Sequence, residues 1–198
     1  MRCLAIFTVL VITCSTFADD KPAFLADDNW EGLKEFWKVE GSTVVGASKE
    51  GGLKFNTFLC SKKKYSDFEL SFSVRLKGGI GNSGIQIRSK IHDMKNFAVT
   101  GPQCDIGQQF WGSLYGEHFG GMMKAAPADV VKKIVKTDDF NTYSIRCVGK
   151  HVTIKVNGET MVDGDFEKMP ADGIIAFQLH AGPQMEVTFK DVKFAEVK

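Results

Sequence analysis

Three short segments of this chain each carry two polar side chains spaced two residues apart: Gln86 and Arg88, Gln103 and Asp105, and Gln178 and His180. In an extended strand, residues i and i+2 project to the same face, so each pair would present its two functional groups side by side. Histidine is a base near neutral pH, a guanidinium holds an oxygen that gains negative charge, and a carboxyl group delivers or takes up a proton. Asp105 and Glu117 supply two such carboxyls. The amides of Asn82, Gln86, Gln103 and Gln178 suit hydroxyl groups, and the rings of Trp111 and Tyr115 offer faces on which a sugar stacks. If the three strands are neighbours in one sheet, a single face holds an arginine, a histidine, a carboxylate and three amides. Each residue also has a plainer reading. His180 ends an apolar run and suits a structural hydrogen bond, Asp105 suits a cap on the turn at Ile106-Gly107, and Glu117 suits a solvated loop. Arg88 suits an ion-paired strand end, and both rings suit simple packing.

The elements that must position these groups are strands. From Phe68 to Leu76 every even residue is apolar and every odd one polar or charged, the pattern of a half-buried strand. Tyr143, Ile145 and Cys147 alternate with Ser144 and Arg146, the chain turns at Gly149-Lys150, and Val152, Ile154 and Val156 alternate in their turn. Asn157-Gly158 then predicts a hairpin into Glu159 to Val162, which makes a three-strand meander. Further strands are predicted at Trp37 to Val45, Leu53 to Cys60, Gly84 to Arg88, Phe97 to Asp105, Ile174 to His180 and Glu186 to Val197. Helical spacing shows only around Ala128 to Val135, after Pro127. About ten short strands with glycines between them predict an all-β chain folded as a two-sheet antiparallel jelly-roll sandwich. The long, less regular segment from Lys90 to Lys136 interrupts the strand rhythm, and loops of that size in compact domains usually carry function.

Arg2, the apolar run from Leu4 to Thr13 and the small residue Ala18 before Asp19-Asp20 read as a cleaved secretory signal over residues 1–18. The competing reading makes Cys14 a lipidation site, although Thr13 before it is a poor match. The apolar run is shorter than the roughly 20 residues that span a bilayer, so no membrane span is expected. The mature chain, residues 19–198, is expected to be one domain, secreted or periplasmic, with no linker dividing it. A formal net charge of +1, from 25 basic and 24 acidic residues, provides no field for nucleic acid or an anionic membrane. Cys60, Cys104 and Cys147 remain after cleavage, an odd number in strand-like runs that predicts small buried hydrophobes.

Trp30-Glu31-Gly32-Leu33 followed by Phe36-Trp37-Lys38-Val39-Glu40-Gly41 resembles the opening of the 3-keto-disaccharide hydrolase domain family. Tyr65 to Leu70, Asn82 to Arg88, Thr100 to Gly107, Trp111 to Glu117, Phe140 to Tyr143, Val156 to Gly158, Ile175 to His180 and Val187 to Val192 resemble its blocks in order. The resemblance runs from about Trp30 to Phe194 and rests on the ordered set. It implies a concanavalin A-like fold, a carbohydrate substrate and a secreted hydrolase acting on 3-keto-glycosides or 3-keto-disaccharides. Such a fold also hosts plain lectins, so a carbohydrate-binding module without catalysis is the alternative.

With a 3-keto sugar as the implied substrate, His180 would take the C2 proton and Arg88 would hold the enolate oxygen. Asp105 or Glu117 would protonate the departing C1 oxygen or fix the histidine tautomer. Gln103, Gln178, Gln86, Asn82, Tyr115 and Trp111 would bind the sugar. Direct hydrolysis by the carboxyl pair Asp105 and Glu117 is the other route. No cofactor is expected; the alternative is a divalent metal on His180, Asp105 and Glu117, although no HxH or HExxH spacing is present. The chain departs from the family pattern at Pro102, where many members carry an aromatic residue. It departs again after Glu117, where His118-Phe119-Gly120-Gly121 contains no arginine.

Overall fold

In the computed structural model the described residues are 21–198, so the expected signal over residues 1–18 lies outside them. The strands in chain order are β1 (Trp30–Glu31), β2 (Trp37–Glu40), β3 (Thr43–Ala47), β4 (Thr57–Ser61), β5 (Phe68–Leu76), β6 (Ser83–Asp93) and β7 (Ala98–Ile106). After these come β8 (Leu114–Glu117), β9 (Gly121–Lys124), the helix α1 (Ala128–Ile134), β10 (Asn141–Val148), β11 (His151–Val156), β12 (Glu159–Asp165), β13 (Ile174–Leu179) and β14 (Glu186–Glu196). They form two antiparallel sheets of seven strands, ordered β1-β4-β13-β6-β7-β8-β9 and β12-β11-β10-β5-β14-β3-β2. The architecture is the expected jelly-roll sandwich, and no helix among the described residues is long and apolar enough to cross a membrane.

Alternation explains the layering. Phe68, Leu70, Phe72, Val74 and Leu76 of β5 face inward, and across from them stand Ile85 and Ile87 of β6, Cys104 and Ile106 of β7, and Phe177 and Leu179 of β13. Each such side chain taken wholly out of water contributes about 1.5–3 kcal/mol. The predicted meander is β10-β11-β12, with Tyr143 opposite Val156 and Val148 opposite His151. Two sequence expectations need correction. Trp37 to Val45 is not one strand but the hairpin β2-β3, turned by Gly41 at φ 53°. The stretch from Lys90 to Lys136 is more regular than expected: besides the predicted strand β7 and the predicted helix α1, it holds the end of β6 and the strands β8 and β9. The four-residue strands β8 and β9, joined through Gly120 and Gly121, leave too few residues for alternation to register.

Cys60, Cys104 and Cys147 are all free and buried. Burial pushes each thiol up, Cys147 to about 11.

Candidate functional site

The three polar strands are neighbours. In the order β13-β6-β7-β8, Gln86 pairs with Ala176 on one side and with Gln103 on the other, and Gln103 pairs in turn with Tyr115. Because Cys104, Ile106, Phe177 and Leu179 enter the core, period-two alternation sends Gln103, Asp105, Gln178 and His180 to the face turned away from the second sheet. That face has two halves. On one, Val99, Ile91 and Phe97 of the β6-β7 hairpin pack on Phe58 and Cys60 of β4, with Ile174 and Ala176 between them. In the sheet β13 and β6 stand between β4 and β7, so the contact of β4 with β7 requires the hairpin to curl over the face. Thr57 Oγ1 donating to Asn96 O at 2.7 Å ties down its tip.

The other half stays open as a cleft of about 360 Å³. Asp105, Gln103, Glu117, Tyr115, Asn82 and His180 line it, together with Asn56, Phe110 and Met122. Asp105 is only 6% exposed, and Gln103 Nε2 donates to its Oδ1 at 2.8 Å. Burial pushes this carboxyl up to about 7; the Gln103 hydrogen bond pulls the other way, and the neighbouring Glu117 carboxylate adds to the rise. His180 follows the last residue of β13, and its Nδ1 lies 2.5 Å from Ala181 O. A carbonyl only accepts, so Nδ1 carries the proton and Nε2 of the neutral ring is the free base. The sequence expectation left Asp105 or Glu117 either to protonate the leaving oxygen or to fix this tautomer; the Ala181 carbonyl takes the second task.

Asn56 escaped the sequence reading, yet it joins the two ends of the cleft. Its Nδ2 donates to Glu117 Oε1 at 3.3 Å, and its Oδ1 accepts from Ala181 N at 2.8 Å. Nothing local marks it, because an asparagine one residue before a strand is an ordinary turn residue. Phe110 and Met122 also escaped, and Met122 is 44% exposed on the rim. Among the described residues, no group of three or more His, Cys, Asp and Glu side chains is placed to share a metal ion.

Four expected site residues stand elsewhere. Arg88 does not face His180. It sits in the left-handed region at φ 44°, where the β6-β7 register shifts, and this breaks the alternation that would have kept it beside Gln86. Its guanidinium is 1% exposed and spent on the loops at one end of the second sheet, before β5, between β10 and β11 and after β12. It donates to Asp67 Oδ1 at 2.7 Å, to Pro170 O at 2.9 Å, and to Ser66 O and Gly149 O. Trp111, 5% exposed, packs in the core and offers no face to a ligand. Gln86 and Gln178 keep the expected face but are fully buried beneath the cleft, bonded to Gln103.

The model of the 3-keto-alpha-glucoside-1,2-lyase-like domain matches residues 22–195. No curated protein matches the chain. Among solved structures, a candidate glycosyl hydrolase from Parabacteroides distasonis is similar at 17% identity and a TM-score of 0.63, covering 95% of this chain and 99% of the other. A second candidate glycosyl hydrolase from the same organism is 18% identical, with a TM-score of 0.62 and coverages of 86% and 94%. The carbohydrate-binding module CBM66 from Bacillus subtilis is 14% identical, with a TM-score of 0.61 and coverages of 85% and 96%. At these identities the likeness is one of fold.

Proposed function

The chain belongs to the 3-keto-alpha-glucoside-1,2-lyase-like family, and from that membership we propose that it cleaves the glycosidic bond of 3-keto-glycosides or 3-keto-disaccharides by elimination followed by hydration. One observation carries the reading: a free imidazole nitrogen, a carboxyl that keeps its proton near neutrality and a second carboxylate line one cleft. The ketone at C3 acidifies the C2 proton, which His180 Nε2 takes, leaving the electron pair as an enolate. The enolate collapses back to the ketone, a C1–C2 double bond forms, and the C1 glycosidic oxygen leaves with a proton from Asp105. Water then adds its hydroxyl to C1 and its proton to C2, which completes a net hydrolysis.

With Arg88 bound into the second sheet, the enolate oxygen takes its donors from the cleft wall, where Asn82 and Tyr115 stand. Asn56 keeps Glu117 and the His180 turn in register. Phe110 and Tyr115 supply ring surface for the sugar. In this reading the enzyme acts outside the cytoplasm once its signal is removed.

A second reading, a carbohydrate-binding module, is favoured by the absence of an arginine in His118-Phe119-Gly120-Gly121 after Glu117 and by the likeness to CBM66. Incubating a 3-keto-disaccharide with wild type and with His180→Ala separates the two. The elimination reading expects turnover in wild type, C2 exchange with deuterated solvent, no turnover of the ordinary disaccharide, and a loss of about 10²–10⁴-fold in the variant. Binding without turnover in wild type leaves the module. Equal turnover of the keto and ordinary sugars rules out elimination.

A further inference from the structure

Beneath the cleft, Asp105 is the last member of a row of polar side chains. Ser89 is 2% exposed, Gln86 0% and Gln103 3%. Ser89 Oγ donates to Gln86 Oε1 at 2.7 Å, Gln86 Nε2 to Gln103 Oε1 at 2.9 Å, and Gln103 Nε2 to Asp105 Oδ1 at 2.8 Å. Run this way, the row ends in a donor and suits an ionised Asp105. Every link can also run backwards. Ser89 Oγ lies 3.0 Å from Ile87 O and 3.3 Å from Pro102 O, so its hydroxyl can turn to a carbonyl and accept from Gln86. With both amides turned over, Gln103 Oε1 faces Asp105 and accepts from its protonated form.

Gln178 points to the same reversal. Its Oε1 accepts from Gln103 Nε2 at 3.2 Å, while its own Nε2, fully buried, has no protein partner. A buried N–H without an acceptor costs about 1–3 kcal/mol. In the reversed row, Gln178 turns as well and its Nε2 donates to Gln103 Oε1.

We propose that Ser89, Gln86 and Gln103 form a reversible hydrogen-bond chain that holds Asp105 in both of its charge states, which makes all three positioning residues. The proposal rests on the reading of Asp105 as the acid, which must lose its proton and regain it in every turnover. No proton travels along the chain. The hydroxyl and amides only rotate, and Asp105 exchanges its proton at the cleft. The groups facing Asp105 are Glu117 and Tyr115 of β8 and His180 after β13; on the core side they are Cys104 and Tyr143, whose hydroxyl donates to Asp105 O at 3.1 Å.

Carbon NMR of the aspartate carboxyls, with Asp105 identified by its loss in Asp105→Asn, tests the chain without needing turnover. Ser89→Ala leaves Gln86 with an orphaned carbonyl in the donating direction but with an orphaned N–H in the reversed one, the costlier defect. Its Asp105 midpoint is expected to fall by roughly half to one pH unit, and the alkaline limb of any turnover profile falls with it. Gln103→Met removes the charge-assisted bond itself and moves the midpoint up. Opposite shifts support the chain; an unmoved midpoint in Ser89→Ala, or shifts of the same sign, overturns it. If Ser89→Ala folds poorly, Gln86→Met creates the same asymmetry one link nearer and must lower the midpoint. Shifted midpoints without wild-type turnover sink the catalytic reading alone, and turnover with unmoved midpoints sinks the chain alone.

Discussion

At Asp105, burial supplies what the proposed acid role demands, a carboxyl group that keeps its proton near neutrality. The same fact has a consequence for stability. The folded state raises this group from 3.8 to about 7, so it favours the protonated form. Its contribution is fully present below about pH 4 and is lost as pH rises through about 7. Asp105→Asn is therefore expected to gain on wild type between pH 4 and pH 8, by up to about 4 kcal/mol, in urea midpoints taken at both pH values. A constant difference across that range would remove burial as the cause. In turnover the same variant loses about 10²-fold or more, because an amide gives no proton to the leaving oxygen. Alternation in the sequence brought out Gln103, Asp105, Gln178 and His180 on one face, since period two is a local property. It missed Asn56, whose part is to span from β8 to the turn after β13.

Among the elements, β6 departs furthest from the simple pattern, and the departure explains Arg88. A left-handed residue where the register shifts turns a side chain that should share a face with Gln86 toward the second sheet. Gly173 packs against this bend so closely that a Cβ there would stand 2.2 Å from the Arg88 carbonyl carbon. Arg88 thus pins the ends of the two sheets and leaves the cleft to others. Arg88→Met, which leaves Asp67 only its Gly149 N–H donor and removes a donor from four backbone carbonyls, is expected to cost about 3 kcal/mol in chemical denaturation. Cleavage per folded molecule should stay within about twofold, because the loss falls on the sheet ends and not on substrate. A large fall in kcat with unchanged stability would return Arg88 to the site. The long β6-β7 hairpin is the second device, since its curled end covers half of the outward face and confines the polar cleft to the rest.

For the whole molecule, the core between the sheets buries Cys104 and Cys147, and the curled β6-β7 hairpin buries Cys60 on the outer face. Native protein prepared without residues 1–18, which hold Cys3 and Cys14, should therefore yield almost no reaction with a thiol reagent at pH 8, and three equivalents after denaturation. A fast-reacting Cys104 or Cys147 would show that the sheets part, and a fast-reacting Cys60 that the β6-β7 hairpin lifts from the outer face. Intact mass of the exported protein should begin at Asp19, and a lipid-modified Cys14 would contradict the leader reading. Much of this architecture is local physics. Alternation at β5, the Asn157-Gly158 turn and the polar pairs of β7 and β13 are each encoded within a few consecutive residues, so the sequence alone determined an all-β sandwich and the outward face of Asp105 and His180. Tertiary structure alone decided that Arg88 crosses to the other sheet, that Trp111 is core, and that Asn56 closes the cleft. Those outcomes depend on a register shift and on contacts between residues far apart in the chain, and no short-range pattern carries such information.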